Sequence, residues 1–315
     1  MRFLLASLLT LVLLSPASAR DREIVVFHAG SLAIPLTQAA DEFEARNDGI
    51  VVSLEPGGSL HSARKVSDLG RKCDVFVSAD VESITNLLIP DHASWYIVFA
   101  SNEMALAFRP SLNPSDIPTN DTWTNLLLDP AFKFGRSDPS GDPAGYRAIL
   151  TMKLAENYFS TPGLANSLIA KDQRFTRPKS ADLIALLQTG AIDYAFVYRS
   201  VAVQQSIPFL RFPPELHLGD PAYADQYAEV SVDIDGKKPG ETMTIRGLPV
   251  FYALTIPHNS PDPDLAMRFV EYFLSNDGGL SILERNHQLP IVPATTAMYD
   301  ALPESLKVFA LPFSP

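Results

Sequence analysis

The chain has 315 residues, with 25 lysine and arginine residues against 36 aspartate and glutamate residues, and a formal net charge of −11. This acidic balance argues against nucleic acid or an anionic membrane surface as a partner. The single cysteine, Cys73, excludes an internal disulfide and lies too far from the start of the chain to carry a lipid anchor. The chain is longer than one hydrophobic core usually supports, so we expect two domains.

The first residues have the pattern of a cleavable signal peptide. Arg2 gives a positive start, Phe3 to Leu14 is almost wholly apolar, and Ala17 and Ala19 are small residues at the cleavage position. The apolar run is shorter than the roughly 20 residues that a membrane-spanning helix needs. We therefore predict a signal peptide over 1–19 and a soluble, monomeric mature protein in the periplasm.

Repeated strand-turn-helix units follow the predicted signal peptide. Glu23 to His28 is a β-branched run that breaks at Gly30-Ser31 into a helical pattern. Ile50 to Leu54 predicts a second strand, which breaks at Gly58-Ser59 into a second helix. Asp74 to Ala79 predicts a third strand. Alternating strands and helices are typical of a parallel sheet in an α/β fold.

Two strands divide the chain into three blocks. They lie near residues 102 to 108 and 249 to 256, and the block between them has strands and helices of its own. We predict a discontinuous first lobe over 20–104 and 249–315, and a second lobe over 105–248. A cleft between two such lobes is where a ligand is expected.

Four segments place a small, hydroxyl or acidic residue where a loop leads into a helix: Gly30-Ser31, Gly58-Ser59, Asp142-Pro143-Ala144 and Lys179-Ser180-Ala181. The free N–H groups and positive dipole end of a helix N-terminus bind an anion without a charged side chain. The same residue types are also those of ordinary helix capping. Because the two Gly-Ser pairs follow successive strands of one sheet, we expect them to face the same edge.

Longer motifs run in order through the chain after the signal peptide. They are Phe27-His28-Ala29-Gly30-Ser31-Leu32, Gly58-Ser59 followed by Arg64-Lys65-Val66, Asp74-Val75-Phe76-Val77-Ser78-Ala79-Asp80, Trp95, Phe99-Ala100-Ser101-Asn102-Glu103-Met104, Asp142-Pro143-Ala144-Gly145-Tyr146-Arg147, Arg177-Pro178-Lys179 and Ile192 to Ala202. In these motifs the chain resembles the archaeal-type tungstate/molybdate substrate-binding proteins.

The resemblance implies a type II periplasmic binding fold, in which two βα lobes joined by hinge strands enclose the ligand. It also implies the substrate-binding role of an ABC importer, with the importer's permease as partner and no cofactor besides the ligand. The contacts it implies to a tungstate or molybdate oxyanion come from Gly30, Ser31, Ser59, Asp142, Pro143, Ala144, Ser180 and Tyr198.

One position departs from the family pattern. The family commonly has Glu where this chain has Ser180, and there the Glu and Asp carboxylates both reach the metal of the oxyanion. Here Asp142 is the remaining carboxylate that could contact the molybdenum or tungsten centre. We therefore expect a near-tetrahedral bound oxyanion, with Ser180 as a donor or a helix cap.

Asp142 itself leaves three alternatives open. A carboxylate beside a bound dianion should weaken binding by like-charge repulsion. Its side chain therefore caps its own helix and turns away, bonds the metal centre, or is protonated. For Tyr198, a neutral phenol donor at the ligand is the alternative to a tyrosine simply packed at a strand end.

Other functions remain as alternatives. A sulfate or phosphate ligand would keep the same fold, Tyr194 and Tyr198 leave a ferric-iron site open, and a serine-dependent hydrolase would use Ser31 or Ser59. An enzyme is disfavoured, because His61 replaces the last glycine of a nucleophile elbow and the histidines lack paired metal-ligand spacing. The sequence favours a binding protein.

Overall fold

The computed structural model describes residues 22–171, 173–238 and 240–313, so the predicted signal peptide over 1–19 lies outside the described residues. The strands within these ranges are β1 Arg22–Ala29, β2 Ile50–Gly57, β3 Val75–Ser78, β4 Ile97–Ser101, β5 Met104–Phe108, β6 Phe134–Ser137, β7 Thr176–Arg177, β8 Tyr194–Tyr198, β9 Phe209–Arg211, β10 Ser231–Asp235, β11 Thr242–Arg246, β12 Phe251–Thr255, β13 Leu289–Thr296 and β14 Ala310–Pro312. The α-helices are α1 Ala33–Ala45, α2 Ser59–Ser67, α3 Glu82–Leu87, α4 Trp123–Leu128, α5 Pro143–Tyr158, α6 Leu164–Ala170, α7 Ala181–Gln188, α8 Arg199–Gln204, α9 Ala224–Tyr227, α10 Pro263–Phe273 and α11 Gly279–Arg285. Within the described ranges, every helix is too short or too polar to cross a membrane.

A seven-stranded sheet takes its strands from both ends of the chain, in the order β14-β13-β4-β12-β3-β1-β2. The strand β1 lies parallel to β2 and β3, as the βα pattern predicts, and β12 lies antiparallel to β3 and β4. Its core includes edge-to-face contacts of Phe43 with Phe269 and of Phe99 with Phe273. We call this sheet and the helices packed on it the first lobe.

A five-stranded sheet from the middle of the chain has the order β7-β6-β8-β5-β9. Trp123 packs edge-on against Phe212 and Phe196 in its core. We call this sheet, its helices and the β10-β11 hairpin the second lobe. The predicted residue boundaries of the two lobes stay a prediction.

The chain crosses between the two sheets through short segments. Residues 102–103 join β4 to β5, and residues 247–250 join the β10-β11 hairpin to β12. The two crossings touch each other, because the backbone N–H of Asn102 donates to the carbonyl of Val250 at 3.2 Å. Of the two strands predicted at the lobe boundaries, β12 therefore lies wholly in the seven-stranded sheet and β5 in the other sheet. The hinge is the pair of connections that precede them, residues 102–103 and 247–250.

Helix α5 lies between the lobes and positions much of the site. Asp142 is its N-cap and Pro143, with its fixed φ, occupies the first helical position. From Pro143 through Ala155 almost every residue is buried, so this helix has no polar face. A charged side chain in such a helix must find its partners inside the protein.

Candidate ligand-binding site

The two Gly-Ser turns lie side by side at one edge of the first sheet. Ala29 and Gly57, the last residues of β1 and β2, are paired in parallel register. Gly30 opens a short 3-10 helix directly after β1, and Ser59 is the first residue of α2 after β2. The expectation that both turns face the same edge is confirmed, because carboxyl ends of parallel strands meet there.

Ser31 is buried and bonded to a tyrosine. Its Oγ lies 2.9 Å from the hydroxyl of Tyr252 on β12. The Nδ2 of Asn102 donates to the same tyrosine hydroxyl at 2.9 Å. Because Tyr252 accepts from Asn102, its own proton can go to Ser31, which leaves the serine proton free to donate to a ligand.

Ser59 does not cap its helix. The N-cap of α2 is Gly58, and no side chain bonds there. The Ser59 Oγ instead accepts a hydrogen bond from the backbone N–H of Ala79, at the end of β3, at 3.0 Å. The serine hydroxyl proton is left to donate, beside N–H groups of the first helical turn that have no intrahelical partner.

Asp142 does cap its helix, and it also reaches a second one. Its Oδ1 accepts from the backbone N–H of Ala144 at 3.2 Å, and its Oδ2 accepts from the backbone N–H of Ser180 at 2.7 Å. Burial raises the pKa of this carboxyl to about 6, although the two backbone hydrogen bonds oppose the rise. The structure shows the capping hydrogen bond, and the Ala144 and Ser180 amides are both committed to Asp142.

Ser180 and Tyr198 stand at two further loop-to-helix transitions. Ser180 occupies the N-cap position of α7, but its buried side chain makes no capping hydrogen bond. Tyr198 ends β8 and precedes α8, and its hydroxyl accepts from the guanidinium of Arg147 at 2.5 Å. Burial raises the pKa of Tyr198 well above its usual value of 10, so the phenol stays a neutral donor.

Arg147 is a functional candidate that sequence reasoning missed. It is 3% exposed, and its Nη1 donates both to the carbonyl of Ala79 in the first lobe and to the hydroxyl of Tyr198 in the second. The available signal was its position among the apolar residues of the first turns of α5, since an arginine that is fully buried is almost always paired. It places one fixed positive charge beside the predicted site.

These contacts form a closed ring around the space between the lobes. On one side Ser31, Tyr252, Tyr198, Arg147, Ala79 and Ser59 follow one another, with the two tyrosine rings 6.0 Å apart between centroids. On the other side Gly58 lies against Asp142, Asp142 bonds Ser180, and Gly30 lies against Ala181. The predicted site residues therefore lie on this ring or next to it, with Pro143 at the start of α5, and their contacts with a ligand stay a prediction.

The lobes are closed on this space. The His61 N–H donates to the carbonyl of Gly141 at 3.1 Å, and Arg64 donates to the carbonyl of Ser140 at 2.7 Å. A Cβ at Gly58 would lie 2.3 Å from the Gly141 oxygen, so only glycine permits this approach. Because Ser31, Ser59, Asp142, Ser180 and Tyr198 are between 1% and 5% exposed, a ligand enters only when the lobes separate.

The alternative chemistries find little support in this geometry. Tyr194 lies at the far end of β8 from Tyr198 and donates to the carbonyl of Asp116, so the two tyrosines do not converge. In the described residues, neither Ser31 nor Ser59 is hydrogen-bonded to a histidine, and no group of three or more His, Cys, Asp or Glu side chains could hold a metal ion.

Residues 24–286 match the family described as bacterial extracellular solute-binding proteins. The chain belongs to this family. It is a solute-binding protein, a component of transport rather than an enzyme. Among its relatives, an uncharacterized solute-binding protein of Petrotoga mobilis is 42% identical, with 91% of this chain and 89% of the relative covered.

Two further relatives carry a ligand in their names. The molybdate/tungstate-binding protein WtpA of Pyrococcus abyssi is 34% identical to this solute-binding protein, with 91% of this chain and 90% of the relative covered. The protein of the same name from Thermococcus kodakarensis is 33% identical, with 92% and 88% covered.

Solved structures share the fold of this solute-binding protein. The periplasmic molybdate-binding protein of Azotobacter vinelandii has a TM-score of 0.62 at 19% identity, covering 84% of this chain and 98% of that one. The sulfate-binding protein SubI of Mycobacterium tuberculosis has a TM-score of 0.63 at 14% identity, covering 92% of each chain. The type II periplasmic binding fold that the sequence predicts is confirmed.

Proposed function

We propose that this solute-binding protein is the substrate-binding component of an ABC importer and encloses a molybdate or tungstate dianion between its lobes. The observation that carries the proposal is the ring of contacts, which links Ser31, Ser59, Tyr198 and Arg147 across the two lobes and leaves these side chains buried. The names of the relatives at 33% and 34% identity support the choice of anion.

The electrostatics of the ring suit a small dianion in an acidic protein. The net charge of −11 repels anions at long range, so binding must come from local groups. Hydroxyl donors and helix N-terminal N–H groups supply neutral donors, and the Arg147 guanidinium adds a positive charge that cannot be lost. Excluded from water, these interactions are stronger than they would be on the surface.

The ring by itself does not distinguish among small tetrahedral anions. A phosphate at neutral pH carries a proton and needs an acceptor in the site. Asp142 is the carboxylate on the ring, and each of its oxygens accepts one backbone hydrogen bond and keeps a second lone pair. The preference for molybdate or tungstate over sulfate and phosphate therefore rests on the relatives.

The transport setting belongs to the same proposal. The protein would act as a monomer in the periplasm after removal of the signal peptide, and its closed form would dock on the importer's permease. N-terminal sequencing of the exported protein tests the first part, with a start near Arg20 as the expected result. A retained leader in a membrane fraction would contradict it.

Calorimetric titration of ligand-stripped protein tests the proposed ligand. We expect one molybdate or tungstate to bind per chain, tungstate to be favoured over molybdate only modestly, and sulfate and phosphate to compete weakly. Tight sulfate binding with no response to molybdate would contradict the proposed ligand, but it would leave the role as a solute-binding protein intact. Hydrolysis of an ester or phosphate ester by the purified protein would contradict the role itself.

A further inference from the structure

Asn102 stands at the point where the chain first crosses between the lobes. It follows β4 of the first sheet and precedes β5 of the second, separated from β5 only by Glu103. Its side chain is 4% exposed. A buried amide at a hinge needs all its hydrogen bonds satisfied, and the partners it uses define what the hinge is connected to.

The Asn102 amide uses both its ends. Its Oδ1 accepts from the backbone N–H of Glu103 at 2.9 Å and of Ser200 at 3.4 Å. Its Nδ2 donates to the Ser200 hydroxyl at 2.7 Å and to the Tyr252 hydroxyl at 2.9 Å. Backbone N–H groups can only donate, so the orientation of the amide is fixed and Nδ2 must face the two hydroxyls.

Each hydroxyl leads to a residue of the ligand ring. Tyr252 belongs to the first lobe, and its hydroxyl pairs with Ser31. Ser200 belongs to the second lobe and lies two residues after Tyr198, in the first turn of α8. The amide therefore links a ligand donor in one lobe to a ligand donor in the other.

We propose that Asn102 is a positioning residue that couples lobe closure to the alignment of the Ser31 donor. With the lobes closed, Nδ2 fills an acceptor position of Tyr252, Tyr252 donates to Ser31, and the Ser31 proton points to the ligand. Opening moves Ser200 relative to Tyr252, so the amide cannot keep both hydroxyls. The inference rests on the proposed function, because Ser31 is assigned there as a ligand donor.

We call the hydrogen bonds from Asn102 to Tyr252 and from Tyr252 to Ser31 the relay. Asn102→Asp tests its direction with little change in the shape of the side chain. The new carboxylate can still accept from the two backbone N–H groups, but it offers no donor, so Tyr252 turns its proton away from Ser31. We expect molybdate affinity to fall about tenfold, the effect of weakening one hydrogen bond to a charged ligand. Asn125→Asp adds the same charge at an exposed position and should leave affinity unchanged.

Two double variants separate a positioning role from a structural or purely electrostatic one. If Asn102 acts through Ser31, then Ser31→Ala must reduce molybdate affinity by a smaller factor in the Asn102→Asp background than in the wild type. Tyr252→Phe breaks the relay without adding charge, so Asn102→Asp should lose most of its effect in that background. Additive losses in both pairs would overturn the proposal, because a misfolded hinge or a repelling charge acts independently of the relay.

A ligand-free measurement keeps this test separate from the proposed function. Spin labels at Lys72→Cys in the first lobe and Asn157→Cys in the second report the distance between the lobes. The native Cys73 is buried and so should not take up a label. We expect Asn102→Asp to shift the distances toward an open form. An unchanged distribution would overturn the coupling to closure. A wild type that binds no oxyanion would overturn the proposed function and the Ser31 donor with it, and would leave only the coupling of Asn102 to closure.

Discussion

The carboxylate of Asp142 accepts a hydrogen bond from the backbone N–H of Ser180 at 2.7 Å while capping its own helix. One buried carboxylate thus joins the N-terminal ends of α5 and α7, which come from segments 38 residues apart. The positive ends of two helix dipoles stabilise its charge, and so offset part of the repulsion that it would exert on a bound dianion.

Binding should depend on pH through Asp142. Burial raises the pKa of this carboxyl to about 6, and a dianion in the site would raise it further. Affinity for molybdate should therefore increase as the pH falls from about 8 to about 6, because the carboxyl takes up a proton and the repulsion is relieved. Titrations across this range check the slope, which Asp142→Asn should flatten. An unaltered slope in that variant would assign the dependence to another group.

The raised pKa of Asp142 also makes the stability of the folded protein depend on pH. The folded protein holds the Asp142 proton to about pH 6, whereas the unfolded chain releases it near the ordinary value of 3.8. Between these values the native state binds more protons, so the contribution of Asp142 to the free energy of unfolding falls as pH rises. Urea unfolding of ligand-free wild type and Asp142→Asn across this range measures the difference. A difference that grows in the wild type's favour with rising pH would contradict the assignment.

Ser31→Ala and Ser59→Ala should each weaken oxyanion binding by about 1.5–3 kcal/mol, the range for a hydrogen bond to a charged partner. Both serines contribute a hydroxyl to the ring, and neither caps its helix. Calorimetry measures the loss, circular dichroism checks the fold, and Ser115→Ala at an exposed position is the matched control. Unchanged affinity in both site variants would return the two serines to purely structural roles.

Arg147→Lys should weaken binding by at least about tenfold, or about 1.4 kcal/mol. A lysine keeps the charge, but its compact ammonium on a flexible stem lacks the rigid plane that holds Nη1 between the Ala79 carbonyl of one lobe and the Tyr198 hydroxyl of the other. Arg285→Lys, on the surface, is the control. Equal affinities of the two variants would mean that charge alone, without the bridge between lobes, is what the ligand requires.

Gly58→Ala should keep the lobes from closing. Its methyl group would lie 2.3 Å from the carbonyl oxygen of Gly141 across the cleft, and backbone on both sides cannot easily give way. We expect weaker molybdate binding and a larger radius of gyration by small-angle scattering in the presence of the anion. The unfolding midpoint without ligand should change little, because the open form has room for the methyl group. Normal compaction with molybdate would contradict this.

The metal of the proposed molybdate or tungstate ligand should keep a near-tetrahedral shell, because Ser180 offers a hydroxyl and not a second carboxylate beside Asp142. The Ser180 hydroxyl is free of any capping role, and Asp142 already accepts two backbone hydrogen bonds. X-ray absorption of the tungstate complex should show four oxygens, and Ser180→Glu should either expand that shell or abolish binding. Two additional oxygens in the wild type would contradict the prediction.

The sequence alone was enough for the features that depend on neighbours along the chain. Strands β1 and β3 begin and end within one residue of the predicted runs, Glu23 to His28 and Asp74 to Ala79. The convergence of the Gly30 and Gly58 turns also followed, because parallel strands necessarily end at one edge. Strands β4, β6 and β13 were not predicted; β13 contains Pro290 and Pro293, which argue against a strand in any sequence pattern.

Tertiary structure decided which polar groups remain available to a ligand. Local sequence offers Ser59, Asp142 and Ser180 as caps, yet of these three only the Asp142 side chain caps its helix. The Ser59 hydroxyl accepts from Ala79 instead, and the Ser180 N–H donates to Asp142, both across the fold. Arg147, in the second turn of α5, is likewise bonded to residues distant in sequence. Hydrogen bonds between residues distant in sequence depend on how the two lobes pack. A local pattern of residues does not show which distant residues this packing brings together.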